Sequence, residues 1–410
     1  MRVLPIATRH QASRMLAGAL VVASTLACGG AGPVDAPTAV PASSTGSQAP
    51  GSPPPPTPFI GPAVAFPVGA FGKLSTKPLG SQPAATLQAA LERMAGTGGM
   101  TATLITADGI WSGAAGKADG VHGLVPDSQF GIASITKTIV AAQVMQLVEA
   151  GELSLDAPVS EYLPVGLEFD TNGATVRQLL SHRSGIPDWY GDGIEKVMAT
   201  DRSRAWTTAE VLALVPTYRS TAGATFAYGD TNYTLLGLAI EHVRKRSLVE
   251  VLRSGVLDVP GTDRLVYQPA EAPTAPMAMP DGEPPSALEL GKGYLPSLSD
   301  ASSAGPAGAI ASDSVSLARW WRAFCAGEIV SEASLTEMSR FYDGPDGYGL
   351  GLFNVADPWA AGVGHAGENF GFVSSAGCLS EDAVVVVVLA NYHVDDIGGM
   401  GKPLVDAIRR

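Results

Sequence analysis

Phe130-Gly131-Ile132-Ala133-Ser134-Ile135-Thr136-Lys137 sets a serine and a lysine one helical turn apart at the head of an apolar helix. Beyond Ser134 the apolar positions fall at Ile135, Ile139, Val140, Val144, Leu147 and Val148, a helical period that runs on to Gly151. Ser134 and Lys137 therefore share a face. A serine in the first turn sits among unpaired backbone amides at the positive end of the helix dipole, where negative charge developing on a carbonyl oxygen is stabilised. The pair reads as a nucleophile with its own base. A capping serine followed by an exposed lysine has the same spelling, so the reading depends on what else the chain carries.

Outward from this stretch, Ala84 to Met94 has a helical pattern through Leu87, Ala90, Leu91 and Met94. Residues 101–106 and 110–116 read as two strands joined at Asp108-Gly109. Towards the other end, Tyr348 to Phe353, Val363 to Gly367, Gly371 to Leu379 and Ala383 to Asn391 read as strands, with Glu381-Asp382 as a turn and a last helix from about Pro403. Val384 to Leu389 is unbroken and apolar, which fits a central strand and is too short for a membrane span. Between Ser134 and about Arg340 the chain is mostly helical and rich in loops. The expected fold is α+β: one antiparallel sheet built from both chain ends and flanked by helices, a mostly helical middle half, and a site in the cleft between them. No internal repeat is visible.

Four further segments follow the serine–lysine pair: Leu179-Leu-Ser-His-Arg-Ser-Gly-Ile-Pro187, Tyr228-Gly-Asp230 with Thr-Asn-Tyr-Thr-Leu-Leu-Gly237, Gly308-Ala-Ile-Ala-Ser312, and Gly364-His-Ala-Gly-Glu368. Together, and in this order, the five resemble the class C β-lactamase-like serine hydrolases, a family that includes D-Ala-D-Ala carboxypeptidases and some esterases. The resemblance covers roughly residues 80 to 405. His365-Ala366-Gly367 stands where related penicillin-recognising enzymes carry a Lys-Thr-Gly. The resemblance implies a β-lactamase/transpeptidase-like fold, a covalent acyl-enzyme and no cofactor. Its substrate would be a β-lactam, a D-amino-acid peptide or an ester. A penicillin-binding or scaffold module that keeps the fold without turnover is the alternative.

On that resemblance Ser134 is the nucleophile, Lys137 and Tyr228 are the candidate bases, and the backbone amides of Ser134 and Glu368 form the oxyanion hole. Asp230, His365, Ala366 and Gly367 join them at the substrate. Free lysine and tyrosine both titrate near 10, so either must be shifted to act at neutral pH. The chain departs from the family pattern twice. Many relatives have Tyr-x-Asn where this chain has Tyr228-Gly-Asp230; an ionised aspartate accepts from Lys137 but cannot donate to a substrate carbonyl. It favours a charged lysine and tilts the base role to Tyr228. Ala366 lacks the hydroxyl with which relatives bind a substrate carboxylate, so uncharged acyl substrates are expected to be preferred. His365, if protonated, would attract such a carboxylate and weaken that preference below about pH 6.5. The plainer readings are a core Tyr228, an Asp230 that caps the helix from Tyr233 to Val243, and a satisfied strand histidine at 365; His182 is taken as structural.

The first 27 residues hold Arg2, Arg9 and Arg14, no acid, and the apolar run Met15 to Ala27, which reads as a signal peptide. Cys28 after Thr25-Leu26-Ala27 resembles a bacterial lipobox, implying a lipid anchor at the membrane of an exported cell-envelope protein. Residues 28–62 form a Pro/Ser/Gly tether and 75–410 the hydrolase domain. Without its first 27 residues the chain carries 23 Lys plus Arg against 39 Asp plus Glu. So acidic a protein repels nucleic acid. Cys325 and Cys378 are left as one disulfide or two buried thiols, and neither has a His or Cys neighbour at metal-ligand spacing, so no zinc site is expected.

Overall fold

The computed structural model describes residues 65–96, 98–274, 276–280, 293–342, 347–355 and 362–409. The expected signal peptide, tether and Cys28 lie outside the described residues. Nine strands are present among them: β1 (Met100–Ile105), β2 (Ile110–Ala115), β3 (Phe130–Gly131), β4 (Val266–Tyr267), β5 (Ile310–Ser312), β6 (Phe353–Asn354), β7 (Gly362–Asn369), β8 (Phe372–Leu379) and β9 (Val384–Ala390). Six of them form an antiparallel sheet in the order β2-β1-β9-β8-β7-β6, so the first two strands of the chain close on the last. Met100 pairs with Ala390 and Ile105 with Val385.

The apolar run of β9 follows from its central place. Val384, Val386, Val388 and Ala390 face a core shared with Met100, Ala102 and Leu104 and with Leu87, Leu91, Leu404 and Val405 of two covering helices, Ser81–Ala95 and Lys402–Ile408. Val385, Val387 and Leu389 face the other way, into the main core with Trp320, Trp321 and Phe324 of the Ser314–Cys325 helix. With both faces covered, no position is left for a polar residue. Cys325, at the end of that helix, is disulfide-bonded to Cys378 on β8. Of the two cysteine alternatives the bond is the one formed, and closing a 53-residue loop is worth roughly 4 kcal/mol by chain entropy.

The helix after the opening stretch runs Ile135–Glu149 and is buried on nearly every side, Thr136, Lys137, Thr138 and Gln143 included. Its polar residues are therefore bonded rather than solvated: Ile310 N donates to Thr136 Oγ1 at 3.1 Å, and Thr138 Oγ1 donates to Gly351 O at 2.7 Å. That second bond explains one departure from expectation. Tyr348 to Phe353 is not a strand; the ladder starts only at Phe353, with a single bridge from Tyr348. Gly351 has φ +75°, and a Cβ there would lie 2.4 Å from Ala141 Cβ, so the segment turns sharply to lie against the central helix. A second, small sheet is ordered β3-β5-β4, and its first strand leads straight to Ser134 and the helix that follows. Among the described residues no helix is long and apolar enough to cross a membrane.

Candidate active site

β3 ends at Gly131, and two residues later Ala133 takes a left-handed φ of +46°. For a buried alanine this is a strained conformation worth about 1–3 kcal/mol, and it throws the chain directly from strand to helix with Ser134 at the corner. Ser134 makes no side-chain cap bond to its helix, so the capping reading fails. Its Oγ lies instead 2.9 Å from Lys137 Nζ.

Lys137 is fully buried, with Nζ 2.8 Å from Ala307 O and 2.7 Å from Asp230 Oδ1. As an ammonium it uses all three N–H bonds. Burial alone would push its pKa down, but the charge of Asp230, helped by Tyr228, outweighs this and the net shift is upward. Lys137 is thus held as a cation. The Tyr228 ring lies 4.9 Å from Lys137 Nζ, and its phenol is acted on by both Ser134 and Lys137. Its phenol is raised above the usual range, mainly by burial and further by Asp230, while the Lys137 cation pulls it back. The structure brings the four side chains Ser134, Lys137, Tyr228 and Asp230 together.

The remaining segments explain the placement. Ala307, just before Gly308, supplies the carbonyl that anchors the lysine. The Leu179–Pro187 stretch clamps the tyrosine turn: His182 Nδ1 accepts from Gly229 N at 3.2 Å and Asn232 Nδ2 at 3.1 Å, and Tyr233 Oη donates to Leu180 O at 3.1 Å. The His182 ring lies 4.2 Å from that of Tyr228, and burial with the nearby Lys137 charge keeps it neutral. Asp230 does not cap its own helix, which runs Asp230–Arg244 from a Gly229 N-cap. Asp188 does so from outside, with Oδ1 2.9 Å from Asp230 N and 3.2 Å from Thr231 N. Reading the sequence missed Asp188; the one signal was that it directly follows Gly-Ile-Pro187.

β7 closes the site. Beyond Gly364 it pairs only with β8, leaving residues 365–369 as a sheet edge. A Cβ on Gly367 would fall 2.8 Å from Ser134 N and 2.4 Å from Ile132 O, so glycine is required because this strand abuts the backbone of Ile132 to Ser134. Ala366 and Glu368 are half-buried, and Glu368 Oε1 lies 3.1 Å from His393 Nδ1. His365 differs from expectation. Its imidazole is only 3% exposed, packed against Tyr348 and Phe353, with Nδ1 donating to Ala366 O at 2.6 Å and Nε2 accepting from Tyr348 Oη at 3.1 Å. Only a donor nitrogen can bond a carbonyl, which fixes the neutral Nδ1–H tautomer. Burial and the Lys137 charge lower its pKa to about 3, so the expected protonation below pH 6.5, and the pull on a substrate carboxylate with it, does not arise. Among the described residues no group of three or more His, Cys, Asp or Glu could hold a metal ion.

A serine at a strand-to-helix corner, bonded to a buried lysine and roofed by a sheet edge, places the protein in the β-lactamase/transpeptidase-like fold class. The Beta-lactamase family model matches residues 85–404, and the chain belongs to that family. A D-stereospecific amidohydrolase from Streptomyces sp. superposes with a TM-score of 0.62 at 28% identity, covering 79% of this chain and 97% of the other. The D-amino acid amidase of Ochrobactrum anthropi SV3, at 23% identity, shares the fold with a TM-score of 0.65 over 80% and 99%. Esterase EstB of Burkholderia gladioli is 43% identical over 75 residues, 17% of this chain and 19% of the esterase. The curated relatives are matched over about a quarter of their length or less.

Proposed function

We propose that the protein is a serine hydrolase that forms a covalent acyl-enzyme on Ser134 and acts on an amide or ester, without a cofactor. The observation that carries this is the 2.9 Å contact of Ser134 Oγ with the buried Lys137 ammonium at a helix start. Ser134 Oγ attacks the substrate carbonyl while its proton passes to the deprotonated oxygen of Tyr228, which later returns it to the leaving group. Lys137 stabilises the phenolate, and the Ser134 and Glu368 amides receive the oxyanion. Water then attacks the acyl-enzyme with Tyr228 again as base. Because burial raises Tyr228, acylation should quicken as pH rises above neutral. The test is a rapid-mixing assay with p-nitrophenyl acetate and intact-mass analysis: a burst of one equivalent and a matching acyl adduct, followed by turnover. A burst without turnover would favour the binding module; no adduct would refute covalent catalysis.

The family membership and the amide- and ester-hydrolysing relatives support this reading, and Ala366 narrows it towards acyl substrates with no carboxylate beside the scissile bond. A hydrogen bond to a charged group is worth roughly 1.5–3 kcal/mol, so a hydroxyl at this half-buried edge position should matter. Ala366→Thr is expected to raise kcat/KM for a carboxylate-bearing substrate relative to a neutral ester by roughly tenfold or more. An unchanged ratio, or a parent enzyme that already prefers the carboxylate, would show that Ala366 does not set specificity. The same proposal places the enzyme at the bacterial envelope, exported and tethered by lipid on Cys28, on the strength of the apolar run and the Leu-Ala before it. Detergent partitioning should be lost in Cys28→Ser; equal partitioning of both forms would contradict the anchor.

A further inference from the structure

We propose that Asp188 is a positioning residue for this chemistry with two effects: it fastens the first turn of the Asp230–Arg244 helix, so setting how Asp230 meets Lys137, and it adds its own negative charge beside that pair. The inference rests on Ser134 being the nucleophile. Gly229, the N-cap, has no side chain to offer the first-turn amides. Asp188 takes over, accepting from Asp230 N and Thr231 N with one oxygen. The loop is laced further to the helix by Thr231, whose Oγ1 donates to Pro187 O at 3.0 Å and accepts from Trp189 N at 2.9 Å. The residue that begins the fastened turn, Asp230, is the one whose carboxylate reaches Lys137 Nζ at 2.7 Å.

Asp188 is therefore a second carboxylate beside the Lys137–Asp230 pair. Burial and the charge of Asp230 push its carboxyl up to about 7, opposed by the backbone N–H groups of Thr231 and Tyr190 and by Lys137. Asp230 and Lys137 are the charged groups that act on it; His182, across Gly229, is held neutral. Ionised Asp188 adds negative charge to a cluster in which negative charge already raises both Lys137 and Tyr228. The two effects of Asp188 can be separated. Asn at this position keeps an oxygen for both amides and removes the charge; Ala removes both.

The experiment measures the rate of fluorophosphonate labelling, by intact mass, from pH 5 to 10 for the full-length protein, Asp188→Asn and Asp188→Ala, with a melting curve for each. Asp188→Asn should label fully, with the ascending limb of its profile moved to lower pH by about half a unit to one unit. Asp188→Ala should lose about tenfold in plateau rate. If the Asn profile superimposes on that of the parent while only Ala slows, Asp188 is a structural cap and the proposal fails. It fails also if Ala labels at the parent rate. Absence of labelling in the parent protein would overturn the acyl-enzyme reading and this one with it.

Discussion

Replacing Ser134 by alanine should abolish fluorophosphonate labelling and lower kcat/KM for a p-nitrophenyl ester by roughly 10³- to 10⁵-fold, because no neighbouring group can take over the attack. Lys137 Nζ is committed to Asp230 and Ala307 O, and Tyr228 is held above its usual pKa by burial. What survives would come from binding and the oxyanion amides alone. The fold should tolerate the change. Ser134 makes no cap bond and has φ −62° and ψ −10°, which alanine adopts freely, and Lys137 keeps its carbonyl and carboxylate partners. A stability loss of about 1 kcal/mol or less is expected, so a melting curve separates lost chemistry from lost structure. An adduct that persists in Ser134→Ala, or activity within tenfold of the parent, would remove Ser134 from the nucleophile role.

Much of this site was legible because its parts are local. The three-residue step from Ser134 to Lys137 needs only the helix, and the hairpin at Asp108-Gly109 and the apolar run of β9 need only strand period and turn chemistry. What was illegible depends on tertiary approach. Asp188 lies 42 residues before Asp230, and nothing in its neighbours announces that it will cap that helix. The neutral state of His365 depends on its burial among aromatic rings beside the Lys137 charge, and Gly367 makes room for the Ile132–Ser134 backbone, neither of which the flanking glycines disclose. Tyr348 to Phe353 carries strand-forming aromatics, yet the contact of Gly351 with Ala141 decides its path. In each case a packing contact from a distant segment outweighed the local pattern.

Lys137→Met should slow Ser134 labelling at neutral pH by roughly 10²- to 10⁴-fold, the range in which a positioned proton-transfer partner and its electrostatic support contribute. Methionine fills much the same buried space without charge. The direction of the pH profile is the sharper reading. Lys137 is the group that pulls the Tyr228 pKa down, against burial and Asp230, which both raise it. With the cation gone, burial and Asp230 are opposed only by Ser134, so the ascending limb should move to higher pH. Stability should also fall, because the Asp230 carboxylate loses a partner 2.7 Å away; its side chain is 21% exposed and keeps part of its hydration, which holds the loss to about 1–3 kcal/mol. Adding Asp230→Asn to Lys137→Met removes the stranded charge, and should restore the melting temperature without restoring the rate. That dissociation is what an electrostatic role for Lys137 requires. Labelling at the parent rate would remove the lysine from the chemistry altogether, and a profile that lost its ascending limb would mean that Lys137, not Tyr228, is the base that titrates.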